Sequence, residues 1–138
     1  MRTQSERERD IQYLKTMIYY AEEVKERLVR AQRYNISVND DMVVESIALL
    51  LGQIGEQLDS KKLSEEIQVK YQDNPIDFSS ISKFRNKAYH HYGSMNAKGI
   101  LLASQGMDEL IEQLSFVIRK EQIELENTFE RSPNDFKY

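Results

Sequence analysis

Within the eight residues Arg85 to Tyr92, the chain carries an Arg, an Asn, two Tyr and both of its His, and a Gly follows at 93. Histidine titrates near neutral pH and can give or take a proton. Arginine can grip a phosphate with two parallel bonds and stabilise charge that develops during phosphoryl transfer. Asparagine orients a ligand or an imidazole, and a tyrosine hydroxyl can bond phosphate while its ring stacks on a base. Together these are the parts for cleaving RNA without a metal, the ribose 2′-OH attacking its own phosphate. The same parts would bind a nucleotide without cutting anything. They would also make an unremarkable, solvated helix end.

Helical geometry tests whether the groups converge. With Arg85 at zero and about 100° per residue, Tyr92 falls near −20°, Tyr89 near 40°, Asn86 near 100° and His90 near 140°. These five lie within a sector of roughly 160°, open enough to line one shallow pocket. His91 falls near 240°, beside Phe84, Ala88 and Ile81 on an apolar stripe, where a packed ring with one hydrogen bond is the simpler reading. The two histidines are thereby separated, with His90 on the polar face.

Other chemistries fit poorly. A di-iron carboxylate bundle needs Glu-x-x-His pairs, and neither histidine has a Glu three residues before it. Two adjacent histidines cannot form a His-rich zinc site, and the absence of cysteine removes thiolate metal sites and disulfides alike. No phosphate-binding glycine loop is present. No metal and no cofactor are expected.

The elements that must position this stretch are helices. In 138 residues there are only five Gly and two Pro, and the apolar residues recur at three-four spacing throughout. A first helix follows Ile11, Leu14, Ile18, Ala21, Val24, Leu28 and Ala31, with Ser5 and Glu8 as a capping box, and ends near Tyr34–Asn35. A second apolar set on it, Tyr13, Met17, Tyr20 and Val24, suggests two packing partners and hence a homodimer. A second helix opens at Asn39 or Asp40 and carries Val43, Ile47, Leu50, Leu51, Ile54 and Leu58, with Gly52 and Gly55 suited to a close neighbour. A short third helix spans 60–71 with Leu63, Ile67 and Val69, broken at Asn74-Pro75. A fourth runs from Phe78 to Tyr92 and stops at Gly93. A fifth, from Asn96 to Glu126, turns Ile100, Met107, Leu110, Ile111, Leu114, Val117 and Ile118 inward. The expected fold is an all-α, up-and-down bundle of four to five helices over residues 1–126, with a loosely ordered tail over 127–138.

A net charge of −4 and a pI near 5.3 argue against a protein that coats nucleic acid by bulk attraction, although not against a local basic site. The N-terminal decapeptide is charged and lacks an apolar core, and the longest apolar run is too short to span a bilayer. A cytoplasmic protein with no membrane association is expected.

The stretch "RNKAYHHY" resembles the R-x4-6-H signature of the HEPN superfamily, with Arg85, four residues and His90. It is similar to the R-x4-H-x-Y form, Tyr92 being the last member. "IGEQLDSKKLSEEIQVKY", a Pro-containing turn and "IDFSSISKFRN" resemble the HepT-like family in order and spacing, so that the likeness covers roughly residues 11–118. The resemblance implies an all-helical homodimer whose motif helices meet at a cleft. It implies a metal-independent endoribonuclease, the toxin of a toxin–antitoxin pair, whose RNA target the sequence does not disclose. Its partner would be a small MntA-like nucleotidyltransferase antitoxin that transfers AMP to the motif tyrosine. Carried onto this chain, Arg85 and His90 are catalytic, Asn86 and Tyr89 support them, and Tyr92 is the AMPylated residue. An adenylate on Tyr92 would share a stripe with Arg85 and fill its phosphate site. Where many relatives follow the tyrosine with an aromatic and an acidic residue, this chain has "GSMN". The alternative is a non-catalytic nucleotide- or partner-binding module paired with the same nucleotidyltransferase.

Overall fold

A computed structural model of the chain describes residues 2–59, 61–72, 76–83 and 97–135, the last seven by their backbone alone. All regular structure among the described residues is helical. Helix α1 spans Gln4–Arg33, α2 Asp41–Glu56 and α3 Glu65–Tyr71, residues 78–83 begin α4, and α5 (Ala97–Ser104) precedes α6 (Met107–Asp135). Helix α1 packs chiefly against α6 and α2, and α2 also meets α5. None of the described helices is long and apolar enough to cross a membrane.

The apolar stripes build one core. Leu14, Met17 and Val24 of α1, Ile47, Leu51 and Ile54 of α2, and Leu114 and Val117 of α6 are fully enclosed in it. Each such side chain contributes roughly 1.5–3 kcal/mol relative to exposure. Met17 and Val24, two members of the second apolar set on α1, are spent on this chain's own core, and Tyr13 and Tyr20 lean against it. That set therefore serves this chain's own core in part, while Tyr13 and Tyr20 keep part of their surface exposed.

The helix ends differ from expectation in ways that hydrogen bonding explains. Helix α1 is capped by Thr3, not Ser5: its oxygen accepts from the Glu6 N–H at 3.1 Å, and its hydroxyl donates to the Glu6 carboxylate at 3.1 Å. The N-cap is thus two residues upstream of the expected one, and Ser5 and Glu8 lie inside the helix. Its other end is at Arg33, close to the expected Tyr34–Asn35, and Asn35 takes the left-handed conformation (φ 56°) in the turn that follows. Asp40 caps α2 by accepting from the Met42 N–H at 2.9 Å. Helix α3 begins at Glu65 rather than near 60, because the Ser64 side chain caps it, and Leu63 reaches the core from the turn before it. Val69 points outward, 56% exposed.

The long last helix expected from Asn96 to Glu126 is two. At its break the Ser104 hydroxyl donates to the Leu101 carbonyl (2.6 Å), and the Gly106 N–H bonds the Ala103 carbonyl (3.1 Å), three residues back instead of four. The Gly106 carbonyl then starts α6 by accepting from the Leu110 N–H. Ile100 and Met107 are seven residues apart and both buried, so the apolar period runs across the break and conceals it. Helix α6 continues to Asp135, nine residues past Glu126.

Candidate functional site

Arg85, Asn86, Tyr89, His90 and Tyr92, with His91, lie outside the described residues. What is described is how the chain enters and leaves that stretch. The Asp77 carboxylate accepts from the Ser80 N–H (3.3 Å) and hydroxyl (2.7 Å), which starts α4 at Phe78. These bonds, chiefly the hydroxyl's, hold the Asp77 carboxyl below its ordinary range. Ile76, Phe78 and Ile81 are buried in the core and fix the rotation of the first helical turn. The apolar placement expected of Ile81 is therefore observed, and Ser79, Ser80 and Lys83 face outward. On the exit side Lys98, at the start of α5, is exposed. Of the three lysines nearest the stretch, Lys83 and Lys98 thus stand on the surface, and Lys87 lies outside the described residues.

Two open grooves flank α4. One, of about 710 Å³, runs between α3 and α4 past Gln68, Val69, Gln72, Asp77, Phe78 and Ser79. The other, of about 460 Å³, lies between α4 and the start of α6, bordered by Ser80, Ile81, Gly106, Glu109 and Gln113. Their charged linings include acids, Asp77 and Glu65 in the first and Asp77 and Glu109 in the second, so neither attracts phosphate by itself. Among the described residues no three His, Cys, Asp or Glu side chains are grouped to hold a metal ion.

Sequence reading missed the most concentrated polar cluster of the described molecule. Arg2, just before α1, sends its guanidinium between two helices, donating to Asp10 of α1 (2.6 Å) and Glu121 of α6 (2.9 Å). Its Nε makes no hydrogen bond but lies 3.3 Å from the Glu66 carboxylate of α3. Asp10 also accepts from the Ser64 N–H (2.8 Å) and hydroxyl (2.6 Å). Glu121 accepts in addition from Lys70 (2.7 Å) and from the Tyr71 hydroxyl (2.5 Å), and Lys70 bridges on to Glu124 (2.6 Å). The side chains of Asp10 and Glu121 are only 3% exposed, and that of Arg2 7%.

Burial penalises the charged forms, yet the pairings outweigh it. Burial opposes ionisation of Glu121, but bonds from Lys70, Tyr71 and Arg2 hold its carboxyl below the ordinary range. Arg2 and Lys70 are likewise raised despite desolvation, through their carboxylate partners. Burial, then the bond to Glu121, drives the Tyr71 hydroxyl well above its ordinary value, so it stays a donor. Arg2, Asp10 and Glu121 are enclosed, and the chemistry of the cluster is cohesion: it ties the segment before α1 to α1, α3 and α6. Its signal was in the sequence. Asp10 sits four and seven residues before Leu14 and Met17, and Glu121 four and seven after Val117 and Leu114, each a charge on a core stripe.

Compared with known proteins, the chain matches no family model, no curated protein and no solved structure.

Proposed function

We propose that this protein is a metal-independent endoribonuclease of the HepT-like kind, acting as a homodimeric toxin. The observation that carries the reading is one spacing: Arg85, four residues, His90, one residue, Tyr92. The all-helical architecture and the outward-facing Lys83 and Lys98 on either side of the stretch support it. In this reading His90 takes the proton from a ribose 2′-OH, whose oxygen attacks the adjacent phosphorus. The 5′-oxygen leaves and is protonated, which gives a cyclic phosphate and a free 5′-hydroxyl. Arg85 balances the charge that builds on the phosphoryl oxygens, with Asn86 and Tyr89 holding the groups in place. A nucleotidyltransferase partner would silence the enzyme by placing AMP on the Tyr92 hydroxyl, a bulky anion beside the phosphate site.

The test is cleavage of total RNA by purified, unmodified protein in EDTA, beside His90→Ala and Arg85→Ala. Loss of one positioned acid–base group typically slows such a step by about 10²–10⁴-fold. The expected result is cyclic-phosphate ends from the unaltered protein and at least a hundredfold loss in a folded His90→Ala variant. Intact RNA with the unmodified, folded protein would overturn the ribonuclease reading. A nucleotide- or partner-binding module would then stand in its place.

A further inference from the structure

Helix α3 has seven residues, of which Ile67 and Tyr71 alone are buried. So short a helix is not stable on its own. Its remaining described ties are polar: Gln68 donates to the Leu58 and Leu63 carbonyls (3.4 and 3.1 Å), and the others gather round two carboxylates. Ser64 at its start bonds Asp10, Lys70 and Tyr71 at its end bond Glu121, and Glu66 lies beside the Arg2 guanidinium. Arg2 is the piece that joins these two anchoring points, because among the described residues it alone contacts both carboxylates. Without it, Asp10 would lose its cationic partner in a buried site, and Glu121 would keep only Lys70, which it shares with Glu124. Helix α2 differs: seven of its sixteen residues are buried, five of them apolar side chains and two glycines, so that apolar burial dominates its seat.

We infer that the segment before α1 is a strap, with Arg2 as its buckle, that holds α3 shut against α1 and α6, and that α3 opens as an independent unit when the strap lets go. Opening admits water to the cluster, the state in which separated charges are least costly. It also widens the groove that α3 shares with the start of α4, which is bordered by Gln68, Val69, Gln72 and Phe78. The inference is independent of any ribonuclease activity.

Amide hydrogen exchange of the full chain tests it through an asymmetry between two variants. In the unaltered protein the amides of Val69, Lys70 and Tyr71 should exchange faster than those of Ile47 to Ile54, and the denaturant dependence should be shallower, as for a local opening. Ile47→Val removes one buried methyl group from α2. It should accelerate the α2 amides about fivefold while leaving the α3 amides within twofold, because α2 stays folded when α3 opens. Arg2→Met should accelerate the α3 amides by at least tenfold. If Ile47→Val speeds α3 and α2 equally, α3 is not an independent unit and the inference fails. It fails as well if Arg2→Met leaves α3 unchanged. Should Arg2→Met not fold, Lys70→Met substitutes for it, since Lys70 is partly exposed and holds the same Glu121. A threefold or larger acceleration of α3 would then be the supporting result, and no acceleration the contrary one.

Discussion

Helices α2 and α3 are seated in the same molecule by opposite means. Helix α2 lies on α1 through Ile47, Leu51 and Ile54, apolar side chains with no solvent exposure. Helix α3 is docked by Ile67 and Tyr71 and by a web of buried charge and hydrogen bonds centred on Asp10 and Glu121. Apolar burial is non-directional and degrades gradually as methylenes are lost. A buried charge cluster is directional and interdependent, because removing one member strands the rest. The first kind of contact gives a helix cohesion; the second gives it one register and one way of letting go.

The largest expected effect sharpens that contrast. Arg2→Met should lower unfolding free energy by about 3–5 kcal/mol in urea titration, the usual cost of stranding a buried charge partner. Leu51→Ala, at the centre of the apolar seat, should cost about 3 kcal/mol through lost transfer energy and a cavity. A cost below about 1 kcal/mol for Arg2→Met would place the cluster at the surface energetically, as for exposed ion pairs, and erase the distinction.

Caps provide a smaller comparison. The Asp40 side chain caps α2 and makes no other hydrogen bond among the described residues, so Asp40→Ala should cost about 1 kcal/mol. Ser64 caps α3 and also donates to Asp10, so Ser64→Ala should reach about 2 kcal/mol. Equal midpoint shifts for the two variants in thermal unfolding would mean that the Ser64–Asp10 bond adds nothing.

The mildest effect is a slope against pH. Glu121 is depressed in the folded chain, whereas unfolded glutamates titrate near about 4.3. Its contribution is therefore complete above that value and is lost as pH falls through the lower folded one. Tyr71 and Lys70 are raised, so what they contribute is complete below about 10 and lost as pH climbs beyond it. Stability measured between about pH 3 and 5 should accordingly fall less steeply in Glu121→Gln than in the unaltered chain. An acid limb of equal slope would contradict the assignment.

How much of this was legible beforehand depended on the type of interaction. The three-four spacing of Ile47, Leu51 and Ile54, and of Leu110, Leu114 and Val117, is a local property of the chain, and those residues are buried where the period put them. The break at Gln105–Gly106 escaped notice because Ile100 and Met107 keep the period across it. Val69 stands two residues from the buried Ile67, about 200° round the helix, and so faces outward. The polar stretch from Arg85 to Tyr92 is readable as chemistry from residue types and spacing alone, and its approach through Asp77, Phe78 and Ile81 is anchored where a helix start was expected.

The amino-acid sequence by itself determined an all-helical chain, the inward faces of its long helices, a start of α2 at Asn39 or Asp40 and an end of α1 near Tyr34–Asn35, because helix period and capping act within a few residues. Tertiary structure alone decided that Arg2, Asp10, Ser64, Tyr71 and Glu121 meet. Their bonds join residues as far apart as 119 positions. Neither period nor propensity reaches that far, and a buried charge finds its partner only after the apolar faces have brought the helices together.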